Sequence, residues 1–147
     1  MKSAAHILSE SDKGKITSAI REAERYTSGE IKVYLEKYCD EEVKFRALKV
    51  FYELGMQHTV NRTGVLIYMA YKEKVFAIIG DEGINQKVSE HFWPSVKEEM
   101  QKHFSSENVA EGLLAGIHSA GEKLKLNFPI QPGDENELTD EIIIADE

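Results

Sequence analysis

The chain has 147 residues, of which 41% are hydrophobic and 30% charged, with a formal net charge of −8; this is enough for one sizeable core and short for two. The acidic balance repels phosphate backbones and the sequence offers no local basic patch, which excludes general nucleic-acid binding. There is no run of about 20 apolar residues to span a membrane and no apolar leader in "MKSAAHILSESDKGK", so the expected setting is soluble and cytoplasmic, and the lone Cys39 excludes an internal disulfide and a cysteine-rich zinc site.

In chain order, "SESDKGKITSAIREAERYT" predicts a first helix, with Ile16, Ala19, Ile20, Ala23 and Tyr26 at helical spacing behind a Ser9 or Ser11 cap. "GEIKVYLEKY" alternates, with Ile31, Val33 and Leu35 on one side and Lys32, Tyr34 and Glu36 on the other, and predicts a half-buried strand. Asp40 is the expected cap of a second helix through "EEVKFRALKVFYELG", which Gly55 ends. "GVLIYMAY", apolar almost throughout, predicts a central strand covered on both faces. "KEK" turns it tightly into a third strand, "VFAIIG".

Helical spacing then resumes at Ile84, Val88 and Phe92 and continues through Val96 and Met100. Pro94 predicts a helix kinked or broken near Trp93. Asn108 with Glu111 makes a capping-box pattern ahead of a last amphipathic helix. Residues 1–128 read as one domain and 129–147 as an acidic tail, partly docked through Ile142, Ile143 and Ile144. The element order points to an α/β sandwich.

The chain order also predicts where chemistry gathers. A helical crossover leaves the first two strands parallel, and a tight turn leaves the next pair antiparallel, so the sheet is mixed. The loops "TSGE" (27–30), "NRTG" (61–64) and "GDEG" (80–83) then meet at one edge. They bring Glu30, Asn61, Thr63, Asp81 and Glu82 together with one cation, Arg62. Oxygen donors of this kind suit calcium or magnesium, with Gly80 and Gly83 free to turn carbonyls toward an ion. The same acids also suit a plain helix cap, Asp81 bonding the first turn and Glu82 facing the helix dipole.

"TSGEIKVYLE", "FYELGMQHT", "TGVLIYMAYKEKVFAIIGDEGIN" and "GLLAGIHSAGEKLKLNFP", with the closing "NELTDEI", resemble the TPM domain family from about residue 16 to 142. The resemblance is to its stand-alone bacterial members. It implies a three-layer α/β/α sandwich around a small mixed β-sheet, with an acidic cleft that in some members binds calcium or a related divalent ion. By position it implies Asp81, Glu82 and Glu30 as the metal residues. Some thylakoid relatives are described as acid phosphatases and others as regulatory proteins. Many relatives carry asparagine where this chain has Thr63.

Two function classes follow. One is a divalent-cation-binding module, regulatory or protein-interacting, with an unidentified protein partner. The other is a metal-dependent phosphatase acting on phosphate monoesters, with Arg62 neutralising phosphate. No P-loop, Asp-x-Asp or HExxH signature supports the second. His91, His103, Phe92, Trp93 and Cys39 read as packing or surface residues, and the tail acids Asp134, Glu135 and Glu137 as solvated, since Thr139 replaces the glycine of a calcium loop.

Overall fold

The computed structural model describes residues 7–104, 108–133 and 142–145; the tail acids Asp134, Glu135 and Glu137 lie outside them. Four strands, β1 (Glu30–Glu36), β2 (Gly64–Ala70), β3 (Val75–Gly80) and β4 (Ile143–Ile144), form one sheet in the order β3-β2-β1-β4. β1 runs parallel to β2 and β4, and β3 runs antiparallel to β2. The fold is therefore mixed, with the connectivity that the crossover and tight turn predict.

Helices cover both faces. α1 (Glu10–Glu24), α4 (Phe92–Phe104) and α5 (Val109–Asn127) lie on one side, where Ile16, Met100 and Ile117 close over Ile31, Val33, Val65 and Ile67. α2 (Val43–Glu53) covers the other, with Ala47, Val50 and Phe51 against Leu66, Tyr68 and Ile79. Each such aliphatic or aromatic side chain removed from water contributes roughly 1.5–3 kcal/mol, so the two apolar layers are what hold the sheet between its helices. Every residue of β2 is buried. β1 is not half wet as its alternation predicts: Lys32 is 4% exposed, and every residue from Glu30 to Val33 is buried.

Local chemistry sets the helix ends. Ser9 and Asp12 form a reciprocal capping box at α1, with N–H to side-chain oxygen distances of 3.0 and 3.2 Å. The cap of α2 is Glu42 rather than Asp40: its carboxylate accepts the Phe45 N–H at 3.1 Å, two residues closer to the first apolar position. The periodicity from Ile84 to Met100 resolves into two separate helices, the four-residue α3 (Glu82–Asn85) and α4. Pro94 falls in the first turn of α4, where a missing N–H costs nothing. On α5, Gly112, Gly116 and Gly121 leave room for Phe104, Met100 and Ala23, each within 3 Å of where a Cβ would stand.

Candidate functional site

Register decides which loop residues meet. Glu30 pairs with Gly64, and Val65 with Gly80, so Gly64 and Asp81 stand opposite one another. The Glu30 N–H donates to the Thr63 carbonyl at 3.0 Å and the Asp81 N–H to the Gly64 carbonyl at 2.9 Å. The three loops do converge at one edge. Residues paired across strands point to one face, so Glu30 and Asp81 share the α2 side, about 10 Å apart at Cα because β2 lies between them. Met56 fills the interval: its carbonyl lies 3.3 Å from where a Gly64 Cβ would stand. Glu30 and Asp81 are both almost fully buried, at 3% and 5% exposure.

Asp81 is indeed the N-cap of α3, its Oδ1 accepting the Glu82 N–H at 2.8 Å. It has a second partner that the cap reading omits. Arg62 grips it with two prongs, Nε to Oδ2 at 2.7 Å and Nη2 to Oδ1 at 2.8 Å, and reaches Glu82 Oε1 with Nη1 at 3.3 Å. The hydrogen bond to Asp81 raises the Arg62 pKa further, against a smaller opposing effect of burial. Arg62 holds a left-handed backbone, φ +55°, a conformation non-glycine residues adopt at a cost of roughly 1–3 kcal/mol.

The two glycines have a different role from turning carbonyls. A Cβ on Gly83 would stand 2.1 Å from the Asn61 carbonyl, and one on Gly80 would stand 2.3 Å from the Trp93 ring. Gly83 thus allows loop 61–63 to lie against α3, and Gly80 allows Trp93 to cross β3. The Gly80 carbonyl accepts the Asn85 side-chain amide at 2.7 Å, and Asn85 in turn accepts the Trp93 indole N–H at 2.8 Å.

The acids open on a cavity of about 330 Å³ walled by Leu48, Phe51 and Tyr52 of α2, Ile79, and Asn85 and Gln86 beyond Asp81 and Glu82. Asp81, Glu82 and Arg62 are therefore one group, and Glu30 is their neighbour on the same edge. Among the described residues no three His, Cys, Asp or Glu side chains converge on one point. The donors are of the hard, oxygen kind that calcium and magnesium take, and a guanidinium sits among them. The sequence reading missed the α2 wall and Asn85; the four-residue spacing from Asp81 to Asn85, one helical turn, is the signal that marks the latter. His91 is exposed beside Glu90, Phe92 is in the core, and the Cys39 thiol donates to the Glu41 carbonyl.

These features define a three-layer α/β/α sandwich whose chemistry lies at one sheet edge, in an acid pair bridged by arginine. The chain belongs to the TPM domain family, whose sequence model matches residues 1–123. It is similar in structure to the BA42 protein of the psychrophilic bacterium Bizionia argentinensis, with 42% identity, a TM-score of 0.89, and coverage of 94% of this chain and 95% of that one. The N-terminal domain of a P. gingivalis protein matches at 22% identity and TM-score 0.69, over 84% and 80% of the two chains. That of a Corynebacterium glutamicum protein matches at 18% and 0.66, over 80% and 74%. These last two show the fold alone. A comparison with curated proteins finds no match. Among the described residues no helix is long and apolar enough to cross a membrane.

Proposed function

We propose that this TPM-domain chain binds a divalent cation, calcium or magnesium, at the Asp81–Glu82 rim and acts through it as a regulatory, protein-interacting module. The observation that carries this reading is the shared guanidinium: two carboxylates at the mouth of a cavity are already arranged around a positive group. Asp81 would be the principal ligand and Glu82, 61% exposed, the mobile one. Glu30 adds a third carboxyl along the same edge. A doubly charged ion would neutralise what one guanidinium leaves unbalanced and would tie loops 61–63 and 81–83 together. Arg62 has to release Asp81 for this. It sits on a loop with its side chain 34% exposed, so solvent is open to receive it.

The alternative, a metal-dependent phosphatase, needs a base to activate water on the ion, or a side-chain nucleophile beside it. The cavity lining holds no serine, cysteine or histidine to form a covalent intermediate, so attack would fall to water on the ion, and both acids that could act as its base, Asp81 and Glu82, are the proposed ligands. The interaction reading is the better supported.

Calorimetry and amide NMR titration with calcium, then magnesium, test it. Heat at sub-millimolar to millimolar ion, with shifts near residues 30, 62 and 82, is expected, and Asp81→Asn should weaken binding by at least about tenfold. Silence with both ions, or shifts confined to 134–141, overturns the site. Phosphate-monoester turnover above a chelated control overturns the non-enzymatic reading.

A further inference from the structure

β3 is an outer strand of the sheet, with β2 on one side and no strand on the other among the described residues. In an antiparallel pair, residues alternate between those that bond the partner strand and those whose N–H and C=O face away. The Asp81 N–H bonds the Gly64 carbonyl, so Asp81, Ile79 and Ala77 face β2, in register with Gly64, Leu66 and Tyr68. Phe76, Ile78 and Gly80 face outward. At the Gly80 end the carbonyl is closed by Asn85, with Trp93 locked over it. The N–H and C=O of Phe76 and Ile78 have no backbone partner among the described residues.

This open edge is the floor of a groove of about 380 Å³ that runs between α2 and α4. Val43 and Leu48 form one wall, and Trp93 and Pro94 form the other. Although the chain carries a net charge of −8, the groove's lip is cationic. Lys44 and Lys97 stand on its two sides, and Lys97 lies 5.8 Å from the centre of the Phe76 ring. The one acid at the lip, Glu42, has its carboxylate turned into the first turn of α2.

We propose that this groove binds an extended, acidic peptide segment of a partner protein, which adds to the sheet as a strand beside β3. The main-chain groups of Phe76 and Ile78 supply hydrogen bonds, and alternate peptide side chains fall against the α2 and α4 walls, as in other strand-addition complexes. Lys44 and Lys97 select acidic flanks and steer the encounter. A peptide of five or six residues spans about 17–20 Å, the length of β3 itself. The inference does not rest on cation binding at the Asp81 rim.

The test uses the full chain and a capped octapeptide alternating valine and glutamate, with two controls: a valine–lysine version and one N-methylated at alternate amides. In the free protein, the Phe76 and Ile78 amides should exchange with deuterium faster than those of Ala77 and Ile79. The acidic peptide should slow the Phe76 and Ile78 amides by at least about tenfold and shift their resonances, with affinity in the weak range of small interfaces. The N-methylated peptide should fail. Lys44→Glu with Lys97→Glu, both exposed positions, should lower affinity at least about tenfold without changing the melting temperature appreciably. Equal binding of the lysine version, shifts away from β3, or no protection overturns the proposal. Protection that grows with protein concentration alone, with a dimer in sedimentation, overturns it in favour of a second copy.

Discussion

Arg46 and Arg62 each grip a carboxylate with two prongs, at opposite ends of the strands. Arg46 projects from α2 and binds Glu36 at the end of β1, Nε to Oε2 at 2.8 Å and Nη2 to Oε1 at 3.1 Å. The Tyr68 hydroxyl, from a ring stacked on Tyr34, also donates to Glu36. All of these groups stand on regular elements and face the α2 core. Arg62 stands on a loop, its carboxylates belong to one turn, and one of those acids reaches into solvent. The geometry of the contact is the same, and the difference lies in what holds each arm. Rigid elements with a third donor make a fixed brace, whereas a loop with a spare exposed acid makes an exchangeable contact.

That contrast is broken most directly by truncating each arginine. Arg46→Ala leaves Glu36, only 13% exposed on its side chain, as a charge without its main partner. The loss should be about 3 kcal/mol, the lower end of the range for broken buried pairs, since Arg46 itself is partly exposed. Arg62→Ala should cost about 1 kcal/mol, the low end for a buried acceptor that loses a partner, because Asp81, although its side chain is only 4% exposed, keeps the Glu82 N–H and opens on a cavity. Urea denaturation at pH 7 measures both. Adding Glu36→Gln to Arg46→Ala should recover part of the loss, since no lone charge then remains. Equal losses at the two arginines would erase the distinction.

A smaller effect sharpens the comparison through pH. Burial by itself raises the Glu36 pKa, but hydrogen bonds from Arg46 and Tyr68 together with the Arg46 charge outweigh it and leave the value lowered. A carboxylate with a lowered folded pKa contributes stability above its ordinary value, about 4.3. That contribution is lost as pH falls through the folded value. Melting temperature followed from pH 7 to strongly acid solution should therefore fall more steeply below about pH 4.3 in the parent than in Glu36→Gln. Parallel curves would show that the brace contributes no acid sensitivity.

The parts legible from sequence were those carried by period. The apolar run of β2 announced a strand covered on both faces, and the crossover and tight turn fixed directions and thus the edge where Glu30, Asp81 and Glu82 gather. The burial of Lys32 is not legible, because alternation reports two unlike faces and says nothing of whether the polar one is covered as well. Gly80 and Gly83 suggest backbone freedom in the sequence, whereas what they make room for is the Trp93 ring and the Asn61 carbonyl. Those neighbours are 13 and 22 residues away in the chain. Arg62 was visible as the edge's one cation, but its two-pronged grip depends on a left-handed φ that the pattern "NRTG" does not declare.

That φ supports the smallest prediction. Among the described residues, Arg62 and Lys74 are the non-glycine residues with positive φ, at +55° and +58°. Lys74 lies in the turn between β2 and β3, and Arg62 has the acid pair. The left-handed conformation costs an ordinary residue roughly 1–2 kcal/mol; glycine avoids this but loses roughly 0.5–1 kcal/mol through its freer unfolded chain. Lys74→Gly should thus be more stable than Lys74→Ala, which also lacks the lysine's own contacts, by about 0.5 kcal/mol. Arg62→Gly gains the same relief and loses the ion pair, so it should come out near the parent, above Arg62→Ala by about 0.5 kcal/mol. Urea midpoints at unchanged slope resolve these differences. If alanine and glycine at 62 prove equal while glycine exceeds alanine at 74, the loop relaxes once Arg62 lets go. The left-handed turn would then be imposed by the grip on Asp81, and not by the loop.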